Sequence, residues 1–174
     1  MASFPANAEE ANTETLTFYI SGVECPACVY SVNDAIRRLE GVVEVSEGQA
    51  NEHFSNVTFE PGKVTAQQVA QAVREAFPLH GAPYLATLKI RLPEYSKGEN
   101  AARVGKLFVK WKDRVTVEIV NAESGNLVIH FLPMESETEK PGPQGWKHED
   151  LLAALRQPSP GGLGLKVEMV EEKF

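Results

Sequence analysis

The chain has 174 residues, of which 43% are hydrophobic and 24% are charged, a composition typical of soluble globular proteins. This length suffices for one domain with a sizeable core or for two small domains. The formal net charge of −7 argues against a nucleic-acid-binding protein, because phosphate binding needs a basic surface. No apolar run is long enough to predict a membrane-spanning segment.

The N-terminal residues 1–15 are polar and predict a flexible tail. Within it, Ala6-Asn7-Ala8 has the small-x-small form of a signal-peptidase site, although no apolar signal core precedes it. The compartment therefore stays open. The chain as written is cytoplasmic, whereas an export signal trimmed before Ala8 makes it periplasmic or exported.

Residues 16–84 predict the order β-α-β-β-α-β. Strands are indicated by alternating apolar residues, and helices by apolar stripes at helical spacing. The second helix opens with a capping box from Thr65 to Gln68 and stops at Pro78. The segment 83–85 is either a short fourth strand or a linker. The other predicted elements are a strand over 16–20, a helix with a stripe of Cys28, Val32, Ile36 and Leu39, and strands at 42–45 and 57–59.

Residues 85–174 repeat this order without any cysteine. The predicted elements are a strand over 88–92, a helix over 101–111, a hairpin of 115–119 with 127–131, a helix at 151–155 and a strand at 165–169. The sequence therefore predicts an α+β protein of two tandem ferredoxin-like βαββαβ sandwiches, of which the second lacks a metal motif. The predicted domains are 16–84 and 85–174.

The only two cysteines lie in Cys25-Pro26-Ala27-Cys28, between the first strand and the first helix. Pro26 suits the first turn of a helix, which places both sulfurs near its positive end and favours thiolates. Thiolates select soft ions, and a pair of sulfurs suits Cu(I) better than a four-ligand zinc site. The spacing favours a metal site over a redox dithiol or an inert pair.

The segment Gly22-Val23-Glu24-Cys25-Pro26-Ala27-Cys28 resembles the Gly-Met-x-Cys-x-x-Cys motif of the heavy-metal-associated (HMA) family. That family includes copper chaperones, the metal-binding domains of copper-transporting ATPases and periplasmic mercury-binding proteins. The resemblance covers about 16–84, including Leu-Glu-Gly-Val at 39–42, and implies that Cys25 and Cys28 are the metal ligands. Val23 departs from the family by replacing a methionine that packs under the loop.

Two residues, one in the last turn of the predicted second helix and one just beyond Pro78, bear on the same site. Phe77 falls near the position at which relatives place an aromatic or lysine side chain facing the metal loop. Its helical spacing with Val69 and Val73 instead favours a core position. His80 approaches the metal loop only if the turn after Pro78 folds towards it, and none of the four histidines lies at ligand spacing with another.

The sequence thus predicts a protein that is not an enzyme, since it contains no recognisable catalytic or cofactor-binding constellation. It binds a soft ion, Cu(I) first and Hg(II) or Zn(II) otherwise, and passes it to a partner by thiolate exchange. Acidic residues outnumber basic ones in 16–78, which predicts a basic docking face on that partner. We expect a monomer. The alternatives are a dithiol/disulfide redox module and a metal-sensing interaction protein.

Overall fold

The computed structural model describes residues 12–47, 53–135 and 142–170. Most of the predicted tail, with Ala6–Ala8, lies outside these residues, and the first strand begins at Glu14 rather than Leu16. The elements are β1 (Glu14–Ser21), α1 (Pro26–Arg37), β2 (Val42–Glu47), β3 (Phe54–Phe59), α2 (Ala66–Glu75), β4 (Leu85–Arg91), α3 (Asn100–Val109), β5 (Val115–Asn121), β6 (Asn126–Phe131), α4 (His148–Arg156) and β7 (Glu168–Met169). In the described ranges, no helix is long and apolar enough to cross a membrane.

The strands of the described residues form one antiparallel sheet in the order β2-β3-β1-β4-β6-β5, and β7 also pairs with β4. The first half of the chain therefore contributes β4-β1-β3-β2, and the second half contributes β7-β4-β6-β5. Each half has the β-α-β-β-α-β sequence of a ferredoxin-like sandwich. The predicted fold class is confirmed, with the additional finding that the two sandwiches share one strand.

The shared strand β4 takes the place of the strand expected over 88–92 and of the short strand or linker expected over 83–85. Its N-terminal residues 85–87 pair with β1, and Ile90 and Arg91 pair with β7 along the same edge. Its other edge pairs with β6 from Thr87 to Arg91. The boundary predicted between 84 and 85 falls at the first residue of this strand.

The core lies on the helix-covered face of the sheet. Alternate residues of β1, with Leu16, Phe18 and Ile20, are buried there, as the alternating pattern predicts. The rings of Phe18 in β1 and Phe131 in β6 lie 6.3 Å apart between centroids. Side chains from both halves therefore belong to one hydrophobic cluster.

Phe77 does not belong to this core, and the interpretation from helical spacing is wrong. Helix α2 ends at Glu75, and Ala76 already has an extended ψ of 144°. Pro78 disfavours the helical conformation for the residue before it, so Phe77 does not continue the helix. Its side chain is 72% exposed, whereas Val69 and Val73 are buried as predicted.

Candidate metal site

The two cysteines are positioned by the start of α1. Cys25 is the N-cap residue, with φ −151° and ψ 163°, and Pro26 occupies the first turn. The backbone N–H of Cys28 donates to the carbonyl oxygen of Cys25 at 3.0 Å and lies 3.3 Å from its Sγ. The local sequence thus turns both sulfurs towards each other at the positive end of the helix.

The two thiols are free, and their Sγ atoms lie 2.9 Å apart. Their environments differ: Cys28 is fully buried, and Cys25 is half-buried. Val23 is buried beneath the loop, which is the packing role that the resemblance implies for this position. The geometry gives one enclosed sulfur and one accessible sulfur within reach of a single ion.

The pKa of the Cys28 thiol is lowered from 9.0 to about 6. Burial by itself raises this pKa, because it disfavours the charged form. Hydrogen bonds to the Cys25 thiol, to the Tyr84 hydroxyl and to backbone groups of Glu24 and Cys25 together outweigh the burial. Cys28 is therefore predominantly a thiolate at neutral pH, which is the form that binds metal.

Tyr84 is the residue of the site that sequence reasoning missed. Its side chain is buried, its hydroxyl hydrogen-bonds to Cys28, and it accepts the backbone N–H of Leu79 at 3.2 Å. Burial, with the hydrogen bond to Cys28 and the neighbouring charge, raises the pKa of Tyr84. Its ring packs close to Gly22, which has a positive φ of 88°. The sequence offered one signal for this role, a single tyrosine just before a strand.

His80 also lies at the metal loop. One ligand atom from each of Cys25, Cys28 and His80 lies within 4.8 Å of the other two. The imidazole Nδ1 of His80 is 4.0 Å from a carboxylate oxygen of Glu24. The turn after Pro78 therefore folds towards the cysteines, which is the arrangement that a role for His80 requires.

Comparison with known proteins gives the family. No protein-family model matches the chain. The chain is 33% identical over 66 residues to the mercuric transport protein periplasmic component of Shigella flexneri, covering 38% of this chain and 71% of the relative. The chain belongs to the HMA family. The match accounts for about one HMA domain, and the remainder of this HMA protein lies outside it.

Two solved structures are also similar to this HMA protein over part of its length. One is oxidized MerP from Ralstonia metallidurans CH34, with 29% identity, 43% of this chain and 97% of that chain covered, and a TM-score of 0.37. The other is a putative copper-ion-binding protein from Bacillus anthracis str. Ames, with 25% identity, 44% and 97% coverage, and a TM-score of 0.38.

A second group of potential ligands lies away from the HMA motif. His148, at the start of α4, is 2% exposed, and its Nε2 is 2.5 Å from a carboxylate oxygen of Glu14 on β1. Its Nδ1 is 3.4 Å from Glu149 and makes no hydrogen bond. One ligand atom from each of Glu14, His148 and Glu149 lies within 4.8 Å of the other two, and the contact of His148 with Glu14 links α4 to β1.

Proposed function

We propose that this HMA protein binds one soft heavy-metal ion between Cys25 and Cys28 and passes it to a partner protein without catalysing a reaction. The observation that carries the proposal is the pair of sulfurs 2.9 Å apart, of which the buried one has a pKa of about 6. A thiolate and a neighbouring thiol provide the soft donors that Cu(I) and Hg(II) prefer.

Cu(I) is the first candidate, because two thiolates satisfy its preference for a low coordination number. Hg(II) shares this preference, and the Shigella flexneri relative is named for mercuric transport. Zn(II) is the weakest candidate, because a closed zinc site takes four ligands. Both soft ions are tested below.

Transfer proceeds by ligand exchange at the ion. A partner thiolate forms a bond to the metal, a three-coordinate intermediate bridges the two proteins, and one sulfur–metal bond of the donor then breaks. The partner thiolate approaches the ion from the side of the half-buried Cys25, because Cys28 is enclosed. The ion keeps its oxidation state throughout, because only ligands are exchanged.

The partner docks beside the metal loop in a groove between α1 and α2. Ala27, next to the cysteines, lines this groove together with Tyr30 and Phe77, which are 66% and 72% exposed. Glu24 adds an exposed carboxylate at the same end of the molecule. These groups suit a partner with apolar contacts and a basic rim, docking on a monomer of this chain.

A redox function is the second candidate, because two free thiols at 2.9 Å can close a disulfide. In a dithiol oxidoreductase, the low-pKa thiolate must be accessible in order to attack a substrate disulfide. Here the sulfur with the lowered pKa is the fully buried one. This arrangement favours metal retention over disulfide exchange.

The double substitution Cys25→Ser and Cys28→Ser tests the proposal. Protein purified without air is loaded with Cu(I) or with Hg(II), and metal content is measured after removal of free ion. We expect one ion per chain in the wild type and none in the double variant, with unchanged circular dichroism. His130→Ala, on β6, is the control and should retain one ion. Unchanged stoichiometry in the double variant, or turnover in an insulin reduction assay, would contradict the proposal.

A further inference from the structure

The loop between α2 and β4, residues 76–84, is folded back over the start of α1. The hydroxyl of Ser31 in α1 donates to the carbonyl oxygen of Phe77 at 3.0 Å, and the N–H of Gly81 donates to Pro78 at 3.3 Å. The backbone N–H of Leu79 donates to the hydroxyl of Tyr84, and the same hydroxyl hydrogen-bonds to Cys28. These contacts keep the middle of the loop, with His80, beside the two cysteines.

The three donors are spaced for one ion. A trigonal ion with metal–donor bonds of about 2.0–2.3 Å separates its donors by roughly 3.5–4 Å. The two sulfurs lie 2.9 Å apart, and the ligand atoms of Cys25, Cys28 and His80 all lie within 4.8 Å of one another. Binding therefore requires the sulfurs to spread slightly and the imidazole to move closer. His80 has room to move, because about half of its side chain is exposed.

We propose that His80 is a third metal ligand, so that the ion is held by two sulfurs and one imidazole nitrogen within this chain. The proposal rests on the metal-binding function proposed above. Imidazole is a good ligand for copper and zinc and complements thiolates on a soft ion. The ring binds through the lone pair of one nitrogen, and a protonated ring first releases its proton to water.

Glu24 is placed to orient this imidazole once the ring has moved to the ion, because at 4.0 Å the two side chains do not yet form a hydrogen bond. Its carboxylate lies 4.0 Å from Nδ1 of His80, immediately before Cys25 in the chain. A carboxylate that accepts a hydrogen bond from one ring nitrogen fixes the direction of the other and strengthens it as a ligand. The third ligand also has to be displaced during transfer, so the ion is retained until a partner thiolate replaces the imidazole.

The test compares the wild type with His80→Ala and Glu24→Gln, each loaded with one equivalent of Cu(I) or Hg(II). X-ray absorption should show two sulfurs and one imidazole in the wild type, and only two sulfurs in His80→Ala. In competition with a chromophoric Cu(I) chelator, His80→Ala should lose at least about tenfold in affinity, and Glu24→Gln about tenfold with the imidazole retained. Both substituted side chains are exposed, so the variants should fold.

His130→Ala is the matched control, because His130 also pairs with a carboxylate, that of Glu118, at an exposed position. It should change neither the spectrum nor the affinity. A wild type that binds one ion through two sulfurs alone, with the same affinity as His80→Ala, would overturn this inference and leave the proposed function intact. A wild type that binds neither ion would overturn both.

Discussion

At the scale of single residues, the two cysteines show how the environment divides one residue type into two roles. Cys28 is enclosed, and its pKa is lowered to about 6 because its hydrogen bonds outweigh the effect of burial. Cys25 remains half-buried at the helix start. The structure thus combines a buried thiolate with an accessible sulfur, which is the pair that the proposed metal site uses.

We predict that the ultraviolet absorbance of the metal-free, reduced protein shows one thiolate forming with a midpoint near pH 6. Tyr84→Phe should raise this midpoint, because it removes a hydrogen bond that lowers the pKa of Cys28. The rise is measured by titrating both proteins under identical conditions. An unchanged midpoint in Tyr84→Phe would show that the tyrosine does not stabilise the thiolate.

The same lowered pKa has a consequence for stability. Folding lowers the pKa of Cys28 from 9.0 to about 6, so its stabilising contribution is complete above pH 9 and is lost as the pH falls through 6. When the pH is raised from 6 to 9, the free energy of unfolding should therefore increase more for the wild type than for Cys28→Ser. Chemical denaturation at the two pH values measures the difference.

At the scale of secondary-structure elements, α2 joins the two halves of the chain through Gln67. This side chain is 1% exposed, and its Nε2 donates to the carbonyl oxygens of Arg114 and Leu132 at 3.2 and 3.1 Å. Its Oε1 accepts the backbone N–H of Trp146 at 2.7 Å. One glutamine of the first half thus satisfies three backbone groups of the second half.

We predict that Gln67→Ala lowers the free energy of unfolding by about 2 kcal/mol or more, because the Leu132 carbonyl and the Trp146 N–H lose this partner, at about 1–3 kcal/mol for each group left unpaired, whereas the Arg114 carbonyl keeps the N–H of Leu132. Chemical denaturation followed by circular dichroism measures the change. Gln71→Ala is the control. Gln71 is half-buried and accepts one backbone N–H, that of Met134, so this substitution should lower the free energy of unfolding by less. Equal effects of the two substitutions would contradict this role of Gln67.

At the scale of the whole molecule, the shared strand β4 makes the first sandwich depend on a strand that lies beyond the predicted domain boundary. Alternate residues of β4, Ala86, Leu88 and Ile90, are buried in the common core. The strand pairs with β1 on one edge and with β6 on the other. A chain that ends at residue 84 lacks the fourth strand of the first sandwich.

We therefore predict different behaviour for two truncated chains, residues 1–84 and residues 1–92. The shorter chain should lose cooperative thermal unfolding and bind Cu(I) poorly, because β1 has lost its partner on the β4 edge and the loop that carries Tyr84 is no longer anchored. The longer chain keeps the order β4-β1-β3-β2 and should bind one ion. Cooperative melting of the shorter chain at the temperature of the longer one would show that β4 is dispensable.

Much of the fold could be predicted from the sequence. The alternation in β1, the capping box of α2 and the β5–β6 hairpin are each confirmed, because each depends on residues close together in the chain. The helical period predicts a core position for Phe77, but α2 ends at Glu75, ahead of Pro78, so the period does not reach Phe77. The error therefore came from the position of a helix end.

The sequence by itself determined the strand and helix order and brought Cys25 and Cys28 together, since their spacing at a helix start acts within one turn of backbone. Only the tertiary structure decided which distant residues complete the site. Tyr84 and His80 reach the cysteines because the loop after α2 folds back over α1. It also decided that β4 serves both sandwiches, because a strand has two edges and only the assembled sheet shows what pairs with each.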